Sequence, residues 1–321
     1  MMRFLYHFKF LLIIAFVFLL TGFWSTDLAA EKIRYHKFSL KERYYLINCF
    51  KEAGFSDPFL KNVFFDKNLL KIPIVIKKNI DNGESFRDYD DFHSSYSLLM
   101  AHRFSIKWRS ILEQASRKFS VDKEVLVSIL LVETGFGNVL GRYPVISVFS
   151  SIILENHKNK RVLAGKTEIT ADEKYIAARL EKKDEWARDE MIALLSIIKQ
   201  SNQSPFDFKG SFAGAFGIPQ FLPSSFLRWG YDSDNNGSVN LFLFPDAIYS
   251  TANYLKAHGW KKGLYRKSNK AVLYKYNRSH VYVDTVLKVA IKIKNYKSKE
   301  ERGARTDIAE KESSSQYNKK S

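Results

Sequence analysis

The sequence predicts a mainly α fold, and two observations carry that prediction. Apolar residues recur at helical spacing in one segment after another, from "FSLKERYYLINCFKEAGF" at 38–55 to "VYVDTVLKVAIKI" at 281–293. Helix-boundary residues bracket several of these segments: Ser120 as an N-cap and Asp122 in the first turn of "VDKEVLVSILLVE", Gly135 just past its end, Pro245 and Asp246 opening "PDAIYSTANYLKAHG", and His258–Gly259 closing it. With 321 residues, 45% of them apolar, the chain can bury one large core or two modest ones.

Taken in order, residues 1–30 place Arg3, His7 and Lys9 ahead of an apolar run from Phe10 to Trp24, then the small residues Ala29 and Ala30. This is the layout of a secretory signal, cleaved after Ala30 or kept as an N-terminal anchor in the inner membrane. An exported chain, in the periplasm or cell envelope, is therefore expected. Its single cysteine, Cys49, allows no internal disulfide. Residues 31–95 read as a helical N-terminal part, with "LLKIPIVIKKN" extended around Pro73 and "DNGESFRDYDD" a polar loop. Residues 96–296 form the main domain. Within it "YSLLMAHRFSIKWRSILEQASRKF" is helical, 121–133 is apolar on nearly every face, and 155–184 is a charged surface excursion. "EWARDEMIALLSIIKQ" returns to helical spacing, and 210–230 is a tight loop with a short helix. Residues 297–321 are charged, apolar-poor and expected to be disordered.

The formal net charge of +17 favours an anionic partner. The basic residues are spread along the chain, no nucleic-acid motif is present, and an exported protein has no nucleic-acid partner to meet. One Cys and seven scattered His cannot build a zinc site of the usual spacing, and no G-x-S-x-G nucleophile turn occurs. Glu133 is the best-placed reactive group. It follows the apolar "SILLV" at a helix C-terminus, where desolvation and the negative end of the helix dipole both favour the protonated form that a general acid needs. A helix-terminal Glu reaching into water has the same local sequence. The second candidate block, "GSFAGAFGIPQFLPSSF", interleaves Ser211, Gln220, Ser224 and Ser225 with Phe212, Phe216 and Phe221, the mixture of hydrogen-bonding groups and rings that a sugar site uses. A packed turn without a ligand would share that composition.

"VETGFGNVLG", "KGSFAGAFGIPQFLPSSF", the D-x-D-x-N-G-x-x-N-L stretch at 232–241, "PDAIYSTANYLKAHGW" and "YNRSHVY" occur here in one order. Together they resemble the membrane-bound lytic murein transglycosylase B family over about residues 95–292. The resemblance implies a lysozyme-like fold, with an additional helical N-terminal part, that cuts peptidoglycan glycan strands between N-acetylmuramic acid and N-acetylglucosamine and leaves 1,6-anhydro ends. It also implies that Glu133 is the acid and then the base, and that Ser211, Gln220, Tyr254, Tyr276, Asn277 and Tyr282 line the substrate cleft. A monomer without a catalytic cofactor is expected. Ordinary glycosidases need two carboxylates. The absence of an obvious second acid in these blocks favours the transglycosylase over a hydrolytic muramidase, and retention of Glu133 with Gln220 and Tyr276 argues against a non-catalytic peptidoglycan-binding scaffold.

Asp232, Asp234 and Asn236 occupy positions 1, 3 and 5 of an EF-hand-like loop, followed by Gly237 and Ser238, and position 12 is Leu243 rather than Glu. Asp246 is the candidate closing ligand of a lengthened loop, as in the resembling family, so Asp232, Asp234, Asn236, Ser238 and Asp246 are candidate ligands of a structural Ca2+. An ion-free Asx-Gly turn would read alike. The sequence departs from the family pattern at Ser147, at 163–185, and at Lys158, Lys160 and Arg161, which stand near the place of a customary arginine pair.

Overall fold

The computed structural model describes residues 35–80, 89–201, 203–264 and 266–296. The expected signal or anchor, the charged tail and most of the polar loop at 81–91 lie outside them. Strand β1 (His36–Lys37) pairs antiparallel with β2 (Leu70–Lys71), enclosing helices α1 (Leu40–Lys51) and α2 (Asp57–Phe64). A reciprocal cap starts α1: the Ser39 hydroxyl accepts from Glu42 N and the Glu42 carboxylate accepts from Ser39 N at 2.8 Å. Buried Arg43 donates to the carbonyls of Phe38, Phe64 and Asp66, tying the unit together.

The expected extended stretch ends at Lys71, because Pro73 opens helix α3 (Pro73–Ile80). Proline at a first helical position forfeits no intrahelical hydrogen bond, and the turn buries Ile72 and Val75. After a 3-10 turn at Asp90–His93, the helical segment at 96–119 divides at Trp108 into α4 (Ser95–Lys107) and α5 (Arg109–Phe119). Ser120 is not an N-cap. It ends α5 in the left-handed conformation, φ 55°, and Asp122 takes the N-cap position of α6 (Lys123–Thr134). The Asp122 carboxylate does not cap its own helix either, since it accepts from Trp260 Nε1 at 3.0 Å and Gly263 N at 2.8 Å.

Strand β3 (Tyr143–Pro144) leads into α7 (Val145–Ala164), which folds back as α8 (Ala171–Ser201). The expected excursion at 155–184 is thus a helical hairpin, largely exposed and pinned near its base by Asn156 Nδ2 to Asp184 Oδ2 at 2.9 Å. Strand β4 (Lys209–Gly210) pairs with β3, and α9 (Pro223–Trp229), α10 (Phe244–Ala257), α11 (Ser268–Tyr276) and α12 (His280–Asn295) complete the described chain. One apolar cluster runs from Phe38 to Ala290. At its centre α6 packs against α4 and α12, with Ser128 Oγ donating to Val286 O at 2.8 Å. Ser147 and Ser151, one turn apart on α7, accept from the backbone N–H groups of Leu70 and Ile72 and so join the N-terminal unit to the rest. Among the described residues no helix is long and apolar enough to cross a membrane.

Candidate active site

Every residue of α6 from Val125 to Val132 is buried, and Thr134 is too, but Glu133 between them is half-buried. It is the point where the central helix reaches the surface. The helix stops there because Gly135, at φ 56° and ψ 43°, closes it with a left-handed cap, its N–H bonding Leu131 O while Phe136 N–H bonds Leu130 O. Phe136 then stacks on Phe104 with centroids 4.2 Å apart.

Three consecutive residues of the second block are tied to three different places. Thr134 Oγ1 donates to Ile218 O at 2.9 Å, the Tyr276 hydroxyl donates to Pro219 O at 2.6 Å, and Gln220 Nε2 donates to Leu140 O and Gly217 O at 3.2 and 2.9 Å. Gln220 is held at φ 51°, a left-handed conformation that costs a non-glycine residue about 1–3 kcal/mol. Its amide nitrogen is thereby fixed and its oxygen left as the acceptor. These ties bring the end of α6, Gln220 and Tyr276 to one place.

Tyr276, half-buried, stands 4.8 Å from the Tyr254 ring and 6.4 Å from the Tyr282 ring. Burial, and then the nearby Glu133 carboxylate, raise the Tyr276 and Tyr282 phenols well above their ordinary pKa. The buried Tyr282 hydroxyl lies within reach of Glu133 without meeting hydrogen-bond geometry to any partner. Tyr254 is buried, donates to Lys275 O at 2.9 Å and stacks on His258, and burial pushes its phenol up to about 12. Asn277 is exposed at the foot of α11, on the rim.

Ser211 sits one loop away, against Gly141, where an added Cβ would meet Gly210 carbonyl atoms at 2.2 Å and Ser211 N at 2.7 Å. Its hydroxyl accepts from Ala213 and Ala215 N–H. The ring pattern expected of this block holds only for Phe212, which is exposed. Phe216 and Phe221 are core residues, turned inward because the backbone of this segment folds on itself in short bridges. Ser224 is likewise occupied. Buried Glu190 of α8 accepts its N–H at 2.9 Å and its Oγ–H at 2.7 Å, which anchors the first turn of α9. Sequence reading missed Glu190, although its place in the stripe Ala187, Glu190, Met191, Leu194 marks a carboxylate on a buried face.

In the acidic loop, carboxylate oxygens of Asp232, Asp234 and Asp246 lie within 4.8 Å of one another. Asp246, buried in the first turn of α10, accepts from Ser233 N and Oγ and from Asn240 N, so it closes the loop from below. Asn236 Oδ1 accepts from Ser238 N and Oγ at 3.0 Å, so both residues are engaged with each other. Three hard oxygen donors of this kind suit Ca2+.

Residues 48–267 match the model of the transglycosylase SLT domain family. The chain is 33% identical over 157 residues to the membrane-bound lytic murein transglycosylase B of Escherichia coli, an alignment covering 49% of this chain and 37% of that protein. It shares its fold with the E. coli lytic transglycosylase Slt35 in complex with calcium, at TM-score 0.65 and 20% identity over 81% of this chain and 95% of the other. It also shares it with SltB3 of Pseudomonas aeruginosa in complex with NAG-anhNAM-pentapeptide, at TM-score 0.64 and 18% identity over 78% and 79%. The matched residues take in Glu133, the Gln220 turn and the acidic loop, and the chain belongs to the transglycosylase SLT domain family.

Proposed function

We propose that this protein is a lytic transglycosylase of peptidoglycan, with Glu133 as its sole acid and base. The observation that carries the reading is the placement of Glu133: it ends the buried central helix beside the Tyr276 and Tyr282 rings, with the Gln220 turn pinned to the same helix end. A carboxyl group flanked by rings and shielded from part of the solvent can hold a proton and deliver it. Glu133 protonates the glycosidic oxygen as the bond to muramic acid C1 breaks. The resulting carboxylate takes the proton from the same sugar's C6 hydroxyl, whose oxygen closes onto C1. The proton returns to Glu133, no water is consumed, and no second carboxylate is needed.

Gln220 offers a fixed acceptor, Tyr254 and Tyr276 form the wall, and Ser211 and Asn277 lie along the rim. We assign the acidic loop to Ca2+ as a structural ion, supported by the three converging carboxylates and by the calcium complex of Slt35. The basic-apolar-small order of residues 1–30, together with a membrane-bound relative, supports export to the envelope. Digestion of purified peptidoglycan beside a Glu133→Gln control tests the activity. Released fragments lighter by one water, made only by the wild type, are the expected product. Reducing ends would make the protein a hydrolytic muramidase, and binding without release would make it a scaffold.

A further inference from the structure

A cavity of about 420 Å³ lies between α1 and α7. Lys158 follows Val145 by thirteen residues on α7, roughly 20 Å of helix away from β3, where the chain leaves the Glu133 region. Three cations line it, Lys41 from the first turn of α1 and Lys158 and Arg161 from α7. Glu42 is the one acid among the lining residues, and its carboxylate already serves Lys71 at 2.5 Å and the Ser39 N–H. Among the described residues Lys41 and Arg161 form no ion pair, and Lys158 reaches only Glu155, at 3.9 Å. The inner wall is the Tyr45 ring stacked on His157, centroids 3.8 Å apart. Behind it Arg188 donates to the Tyr45 hydroxyl at 2.9 Å while bound to Asp184. Burial, then Arg161, Arg188 and Lys41, hold the His157 pKa below its ordinary value, which leaves a neutral imidazole facing a positive field.

We propose that this cavity binds a small ligand bearing an oxyanion, a phosphate or a carboxylate, on a compact apolar body. A guanidinium fork with two ammonium groups matches such an anion, the volume is that of a small-molecule site, and Leu154, Val162 and the Tyr45 ring give the body an apolar seat. Three cations gathered around one cavity, with Glu42 held by Lys71 and Lys158 in only a long contact to Glu155, repel one another, and an anion relieves that repulsion.

The test is a titration of the full chain with inorganic phosphate and, separately, with glutarate, at ionic strength held constant with sodium chloride. The His157 ring is followed by NMR, and its pKa should rise as the anion cancels the surrounding charge. A saturable response is expected for at least one anion, and the anion that gives it names the source, phosphate or carboxylate. The Lys158→Ser/Arg161→Ser double variant, made at exposed positions, should bind about tenfold more weakly or worse, and Lys41→Ser on the opposite wall should weaken binding independently. Chloride reproducing the response, or variants binding like the wild type, would overturn the proposal. The readout is on His157, so the result stands apart from whether Glu133 turns over glycan.

Discussion

Glu133 can be removed as an acid without removing its bulk. Glu133→Gln should lower the rate of anhydro-product release by about 10²-fold or more and leave the melting temperature within a degree or two of wild type; a variant with wild-type turnover would remove Glu133 from the mechanism. Tyr282 permits a sharper separation. Its buried hydroxyl faces the Glu133 carboxylate, so Tyr282→Phe should cost no more than about 1.5 kcal/mol, and denaturant unfolding checks this. Glu133 was legible in the sequence because a carboxylate directly after an unbroken apolar run must sit where a buried helix meets solvent. Tyr282 was accessible only through the resemblance, since a Tyr inside an amphipathic helix carries no local mark of the group it faces. Phe216 and Phe221 were misread for the same reason: alternation of rings with polar groups does not say which side of a bridged turn faces the core.

At the scale of elements, α9 is set by Glu190. Burial raises the Glu190 carboxyl above its ordinary 4.5, with the Ser224 bonds opposing that rise. The folded state therefore holds this proton more tightly than the unfolded chain, and the group's contribution to stability falls as pH rises from 4.5 through its folded value. Glu190→Gln should remove that component, so the stability difference should shift in the variant's favour as pH rises through this window, read from urea unfolding at a series of pH values. An unchanged pH dependence would mean that Glu190 does not titrate there. The joint between the Glu133 loop and the Ser211 strand is tighter still. Gly141 stands at φ +88° with the Gly210 carbonyl in the way of any Cβ; Gly141→Ala should cost about 3 kcal/mol and lower activity with it, as thermal unfolding and product release would register. Within the helical hairpin at 145–201, residues 155–184 read from the sequence as a charged excursion, whereas they complete two continuous helices. Its buried stripe is thin at the tip, and Lys–Glu density alone does not separate a helix from a loop.

For the whole molecule, the acidic loop links ion binding to stability. If Asp232, Asp234 and Asp246 hold Ca2+, the ion at a hundredfold excess over its dissociation constant should stabilise the fold by about 2.7 kcal/mol and raise the melting temperature by roughly 5–10 °C. A chelator should reverse the shift and Asp234→Asn should blunt it; a melting temperature indifferent to Ca2+ would leave an ion-free turn. The sequence by itself determined the mainly α class, the left-handed stop after Thr134, the helix opened by Pro245 and the candidate acid. Each of these rests on short-range terms, namely backbone propensity, capping and local hydrophobic spacing, that neighbouring residues settle among themselves. Only the tertiary structure decided that Ser120 ends one helix rather than starting the next, that Asp122 and Glu190 serve distant backbone groups, and that Lys41 and Arg161 line one cavity. Such contacts join residues far apart in the chain, and the energy that selects them comes from burying and satisfying polar groups together, which no local pattern encodes.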